Sequence, residues 1–367
     1  MSQESGGIPT DVAGDATAFY AYLTGLLARG ERLALCTVIR LDGSGPRRAG
    51  AKMLVGAAAG PVGTVGGGVL ELYAARWAQE VLGTGRPLCQ TFALDLTQAA
   101  DSGMTCGGQV EVLVEPLDGS APGVSGFFAD LHALLARGGR GWLATSIRQD
   151  GGVLSVGRVL VAGGQCVADL PAPGPSLPEE LRLGPAPTAP CLVERGGLRY
   201  FLEPLSPPIT VYVFGGGHIA THLVPLCHRL GFRIVVVDDR ADFASRERFP
   251  EASRLMVTAS FDGALEGLPI DEGSYVVIVT RGHGGDAAVL RQALARRPRY
   301  VGMIGSARKR GLIFEQLRGE GVTAEELCRV ACPIGLPIGA ETPEEIAVSI
   351  AAELIATRAG VRDRGSD

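Results

Sequence analysis

Lysine is nearly missing from this chain: of 34 basic residues in 367, only Lys52 and Lys309 are lysines. The heavy use of Arg, Ala and Gly reflects a GC-rich coding bias rather than an arginine-dependent function. No apolar run reaches the ~18–20 residues that a membrane-spanning helix needs. The opening MSQESGGIPTDVAGD has neither the basic region nor the apolar core of a secretory leader. The eight cysteines form no C-x-x-C pair and are too sparse for a disulfide scaffold. Together these absences point to a reduced, cytoplasmic protein with no membrane partner. A P-loop, an H-E-x-x-H zinc signature, a Ser/His/Asp arrangement and a paired-carboxylate signature are also missing. A net charge of −5 argues against nucleic acid as the main partner. What is present is a well-buried globular chain, 46% apolar with a mean hydropathy of +0.21.

The most informative stretch is Thr210–Asp239, which reads as buried strand, glycine turn, helix, and a second buried strand ending on two carboxylates. Gly215, Gly217 and Ala220 give the G-x-G-x-x-G/A spacing directly after the run Val211–Phe214. The first glycine allows the tight turn, the second lets backbone amides approach a pyrophosphate, and a small third residue lets the helix pack on the sheet. Gly215, Gly216, Gly217 and His218 therefore form a candidate anion site at a helix N-terminus. Asp238, with Asp239 beside it, lies where a ribose-binding acid belongs. Beyond Ile209 strands and helices alternate, which implies a Rossmann-like parallel sheet. Its strands are expected at 211–214, 234–238, 254–257, 275–280 and 300–304, and its helices at 218–230, 287–296, 307–319 and after Thr342.

The N-terminal part reads as α+β. A helix capped by Asp15 runs to Arg29, and a strand at 33–41 leads to a loop over 42–56. A glycine turn opens a helix over about 69–82, and strands follow at 87–94 and 109–117. Beyond a Gly/Pro/Ser break come a helix at 126–136, strands at 141–148 and 153–161, a proline-rich loop over 171–190, and a hairpin at 191–203. The fold class is thus α/β: an N-terminal α+β domain over 1–117, a continuation or subdomain over 118–205, and a Rossmann-like domain over 209–367.

Loops at the carboxyl ends of parallel strands gather along one edge. There Ser306, Arg308 and Lys309 begin a helix with three consecutive cations, either a solvated basic turn or a seat for an anionic group such as phosphate. His283 sits in a glycine-rich loop with Asp286 as the expected N-cap, and suits acid/base work or an anion contact. His218 and His222, without a third ligand nearby, do not make a metal site. Cys106 lies in the glycine-flanked Thr105–Gly108, where amides can stabilise a thiolate. Cys36, Cys89, Cys166, Cys191 and Cys227 sit in apolar runs and read as core.

The motifs GSGPRRAGAKM (43–53), GTVGGGVLE (63–71), CGGQVEVLVEP (106–116), VFGGGHIA (213–220), VVDDR (236–240), TRGHGGD (280–286), YVGMIGSARKR (300–310) and CPIGLPIGAETPEEIAVSIAAEL (332–354) together resemble the XdhC/CoxI family of molybdoenzyme accessory proteins. The likeness covers both ends of the chain in order and leaves about 118–205 without strong motifs. It implies a chaperone, a maturation factor without a catalytic constellation of its own, that binds molybdenum cofactor (molybdopterin), protects it during sulfuration by a cysteine desulfurase, and passes it to an apo molybdenum hydroxylase of the xanthine dehydrogenase type. Arg47, Gly66, Gly67, Gly68 and Cys106 match family motif positions in the N-terminal domain, with Cys106 expected near the metal or its sulfur ligand. The alternative is an NAD(P)-dependent oxidoreductase using the Rossmann-like domain. Oligomeric state, a homodimer included, is open at this stage.

Overall fold

The computed structural model describes residues 15–43, 45, 47–56, 60–93, 108–170 and 177–361, so Cys106 lies outside the described residues. The chain divides into two compact units, Met1–Pro207 and Pro208–Asp367.

In the first unit Asp15 starts helix α1 (Ala16–Ala28) by accepting the N–H groups of Thr17 at 2.7 Å and Ala18 at 3.3 Å. An antiparallel sheet contains β1 (Arg32–Gly43), β2 (Lys52–Gly56), β3 (Val62–Gly63), β4 (Leu88–Ala93) and β5 (Gly108–Asp118), in the order β3-β2-β1-β5-β4. Helix α2 (Gly68–Thr84) covers one face, packing Leu70, Ala74, Ala78 and Val81 on Ala34, Cys36 and Val38. After α3 (Val124–Ala136), a second antiparallel sheet follows in the order β8-β7-β6-β10-β9. Its strands are β6 (Gly141–Asp150), β7 (Val153–Ala162), β8 (Gln165–Leu170), β9 (Cys191–Arg195) and β10 (Leu198–Leu205), with the short α4 (Glu179–Leu183) before β9. Leucines and aromatics of α1 and α3 share one core with Leu33 and Leu54 of the first sheet and Leu143 and Leu160 of the second.

Three strands of the first unit, β2, β3 and β8, escape the sequence reading. β2 occupies a segment expected as loop, because Met53, Leu54 and Val55 are all buried by pairing with β1. β8 is an edge strand with no buried residue and so has no apolar alternation to read. Edge placement also corrects the reading of Cys166 and Cys191 as core: both are exposed.

The second unit is a six-stranded parallel sheet in the order β13-β12-β11-β14-β15-β16. Its strands are β11 (Thr210–Phe214), β12 (Arg233–Asp238), β13 (Arg254–Val257), β14 (Tyr275–Ile278), β15 (Tyr300–Met303) and the two-residue β16 (Val330–Ala331). Alternate residues serve opposite faces. Phe214, Val237 and Ile278 pack with α6 (His283–Arg296) and α7 (Ala307–Gly319), while Val213, Val236 and Val277 pack with α5 (His218–Arg229) and α9 (Pro343–Ala359). Full burial of each such side chain is worth roughly 1.5–3 kcal/mol. The short α8 (Ala324–Cys328) leads into β16. Thr342 and Glu345 cap α9 reciprocally, and Gly360 ends it in the left-handed region, as the sequence indicates. Helix α6 begins four residues earlier than expected, at His283 behind Gly282, so Asp286 is not its N-cap but lies inside its first turn.

Candidate functional site

Strand order reverses between β11 and β14, so the crevice outside their carboxyl ends is the topological switch point. Gly215, at φ +105°, follows β11 so closely on the neighbouring backbone that a Cβ there would overlap the Val279 carbonyl. At Gly216 an added Cβ would meet the Phe243 carbonyl, whereas at Gly217 it would meet no atom within 4 Å. The turn is therefore packed by protein on its inner side and open at the residue that starts α5. Gly217 caps α5 and Gly282 caps α6, neither with a side-chain hydrogen bond, which leaves N–H groups directed outward. His218 and His283, each the first residue of its helix, are exposed beside these termini.

The carboxylate pair is already engaged. Asp238 is almost fully buried; its Oδ2 accepts the Gly216 N–H at 2.7 Å and Arg240 Nη2 at 3.1 Å, while its Oδ1 accepts the Arg240 N–H and Nε. Burial alone would raise its pKa, but the hydrogen bonds from Arg240 and Gly216 prevail and hold it below the ordinary aspartate value. Asp239 pairs with Arg281 at 3.1 Å. Arg248 donates to the Gly216 carbonyl at 3.1 Å, and the Phe243 ring carries the Arg240 guanidinium at 3.4 Å and that of Arg248 at 4.8 Å. This loop closes over the glycine turn. Sequence spacing located Asp238 but gave no sign of Phe243 or Arg248, whose part depends on the fold of the β12–β13 connection.

The three cations of α7 separate. Lys309 turns inward to form an ion pair with fully buried Asp286, which also accepts the Thr280 hydroxyl at 2.6 Å. Burial pushes the Asp286 carboxyl above its ordinary pKa against the lowering pull of Lys309 and Thr280. Arg310 donates to the Cys332 carbonyl at 3.0 Å, and Ser306 caps α7 by accepting the Lys309 N–H. Arg308 is left exposed at the helix start. Lys309 thus joins the β14 and β15 loops instead of opposing the helix dipole freely.

In the first unit, Gly66, Gly67 and Gly68 all have positive φ and open α2. Glu71 occupies this turn: it accepts the Gly67 N–H at 2.9 Å and the Thr64 hydroxyl. Thr64 and Arg47 line a cavity of about 310 Å³ together with Asp15, Tyr20, Lys52 and Glu203. Lys52 and Glu203 form an ion pair at its wall, both nearly buried. Among the described cysteines, Cys36 and Cys227 are pushed up to about 12 by burial, and Cys89 to about 12 by burial and its hydrogen bond to Glu111, so none of these three is a thiolate near neutrality. A roomier cavity of about 730 Å³ lies beside β16 and the end of α9, and contains none of the candidate site residues named from the sequence. Its two arginines are spent on backbone carbonyls, Arg299 on Thr357 and Arg329 on Pro298. Among the described residues no group of three or more His, Cys, Asp or Glu side chains is placed to hold a metal, and no helix is long and apolar enough to cross a membrane.

Residues 211–354 match the profile of the XdhC Rossmann domain, and residues 26–93 match that of the XdhC and CoxI family. The chain belongs to the XdhC/CoxI family. Every loop of the parallel-sheet edge falls within the XdhC Rossmann match, and Arg47, Lys52, Thr64 and the α2 glycine turn fall within the XdhC/CoxI match. The chain is 35% identical over 143 residues to an uncharacterized protein, YqeB, of Escherichia coli K12, covering 39% of this chain and 26% of that one. Over 158 residues it is 30% identical to a Bacillus subtilis 168 protein described as a probable xanthine dehydrogenase subunit, covering 43% and 46%. The matches thus span about a quarter and just under half of these two relatives. Over 332 residues it is 23% identical to the molybdenum cofactor insertion chaperone PaoD of E. coli K12, covering 90% and 85%. A crystal structure from Bacillus halodurans, described as a xanthine dehydrogenase, shares the fold with a TM-score of 0.76 over 95% of this chain and 98% of that one, at 24% identity.

Proposed function

We propose that this XdhC/CoxI protein is an accessory chaperone that binds molybdenum cofactor and delivers the sulfurated form to an apo molybdenum hydroxylase of the xanthine dehydrogenase type, with a cysteine desulfurase as the sulfur source. The observation that carries this reading against hydride transfer is the state of the glycine turn. The Gly216 amide and both Asp238 oxygens, which a nicotinamide dinucleotide would need for pyrophosphate and ribose, are taken by the chain's own Asp238, Gly216 and Arg240. What remains open is a set of outward N–H groups at α5 and α6 with His218, His283 and Arg308 nearby, suited to hold an anionic group without reacting with it. In this reading the turn at Gly215–Gly217, Ser306 and Lys309 shape the seat from below. The near full-length likeness to a chaperone described by cofactor insertion, and the likeness to a probable xanthine dehydrogenase subunit, support the same cargo and client.

The test is retention. Purified protein incubated with molybdenum cofactor released anaerobically from a molybdoenzyme, then desalted, is expected to keep molybdenum and pterin in near-equal amounts. Loss of both on desalting, with tight binding and turnover of NAD(P)H instead, would overturn the proposal in favour of an oxidoreductase.

A further inference from the structure

We infer that the first unit consists of two copies of one αβββαββ fold, and that each copy presents an interaction face whose partner is the other copy. The sequence carries the trace. FYAYLTGLLARGERLALCTVIRLDG (19–43) and FFADLHALLARGGRGWLATSIRQDG (127–151) align without a gap and share the same residue at more than half of their positions. Both stretches make the same structure. Helices α1 and α3 are each 13 residues long, end on arginine C-caps at Arg29 and Arg137, and bury an aromatic pair followed by three leucines at the same spacing. The remaining elements follow in the same order, α1-β1-β2-β3-α2-β4-β5 and α3-β6-β7-β8-α4-β9-β10. The two sheets also share a strand order, β3-β2-β1-β5-β4 and β8-β7-β6-β10-β9.

Strand register turns this likeness into residue equivalences. Thr37 pairs with Lys52 across β1 and β2, and Thr145 with Arg158 across β6 and β7. Leu35 pairs with Glu115 across β1 and β5, and Leu143 with Glu203 across β6 and β10. Lys52 therefore corresponds to Arg158, and Glu115 to Glu203. Each cation bonds the carboxylate of the other copy, Arg158 that of Glu115 and Lys52 that of Glu203. Such an exchange, in which i meets j and j meets i, marks a self-complementary two-fold interface. Residues near the axis of such an interface meet their own equivalents. Tyr20 stacks on Phe128 with ring centroids 6.3 Å apart. Leu113 and Phe201, which pair with Thr37 and Thr145, share one cluster with the equivalent Ile39 and Ile147. Away from this face the copies differ. Where the first has the 17-residue α2 the second has the five-residue α4, and the β1–β2 connection of the first is reduced in the second to a turn at Gly151 and Gly152. The XdhC/CoxI match, residues 26–93, lies within the first copy. The second copy has kept the interaction face and is the resident partner of the first.

Equivalent positions should be able to trade residues, and the full chain tests this. Leu113→Phe overpacks the shared cluster and Phe201→Leu leaves a void in it, so each alone is expected to lower the melting temperature by roughly 4 °C or more. The variant carrying both returns the same two side chains to the cluster with the copies interchanged, and is expected to melt within about 2 °C of wild type. Lys52→Arg combined with Arg158→Lys trades the cations between copies and is expected to stay within the same margin. A traded pair that loses as much as its two single changes together, single changes at Leu113 and Phe201 that cost nothing, or a traded chain that does not fold overturns the equivalence. A protease site introduced at the exposed Ser120, between the copies, tests the interface. The cut chain is expected to elute with the uncut chain in size-exclusion chromatography, and separation of its two pieces overturns the self-complementary face. Either result leaves the chaperone reading standing.

Discussion

Asp286 and Asp238 stand a few residues from the same sheet edge and respond to pH with opposite signs. Burial raises the Asp286 pKa in the folded state, even against Lys309 and Thr280. Above the unfolded value of about 3.9, the folded chain therefore holds this proton longer than the unfolded chain, and the contribution of Asp286 to stability falls as pH rises through that window. Asp238 is held low by Arg240 and Gly216, so its contribution is complete above about 3.9 and is lost as pH falls through its folded value. The expected outcome for Asp286→Asn is a stability gap to wild type that narrows between about pH 4 and about pH 6, measured by urea melts at both. A gap that widens over this range would mean that Lys309, rather than burial, governs the carboxyl.

At the scale of the element, the glycine turn after β11 divides tightly packed from open backbone within three residues. Gly215→Ala places a side chain at φ +105° against the Val279 carbonyl and should lower stability by roughly 2 kcal/mol or more. Gly217→Ala, at φ −74° with open space around it, should cost no more than about 1 kcal/mol in the same melt, the preference for glycine over alanine at a helix N-cap. Equal losses at the two positions would refute this division. The βαβ logic of this region was legible in the sequence because parallel strands buried on both faces leave unbroken apolar runs such as Ile234–Val237, and because glycine has few substitutes at such a turn. The two-residue β16 and the edge strand β8 carry no such pattern. The site was legible only in part. Gly217, His218 and Arg308 were found by motif and remain open, whereas the closure by Arg248 and Phe243, the inward turn of Lys309 and the Lys52–Glu203 pair arise between segments distant in sequence, where local spacing carries no signal.

At the scale of the whole molecule, the two compact units each contain their own buried cores. Residues 1–207 and 208–367 produced separately are each expected to show a cooperative thermal transition, followed by circular dichroism; a half that stays unfolded would show that its core needs the other. The second unit has a further property with a consequence for its synthesis. Its last helix, α9, packs against its first, α5: Ala347, Ile350 and Leu354 share a core with Ala220, Leu223 and Cys227, and Arg358 reaches back to the Leu230 carbonyl across 128 residues. At ribosomal speeds of roughly 5–20 residues per second, α5 therefore waits on the order of ten seconds for its partner to be made. The first unit can complete itself in that interval. The glycine turn cannot, and the apolar face of α5 stays uncovered until α9 has been made.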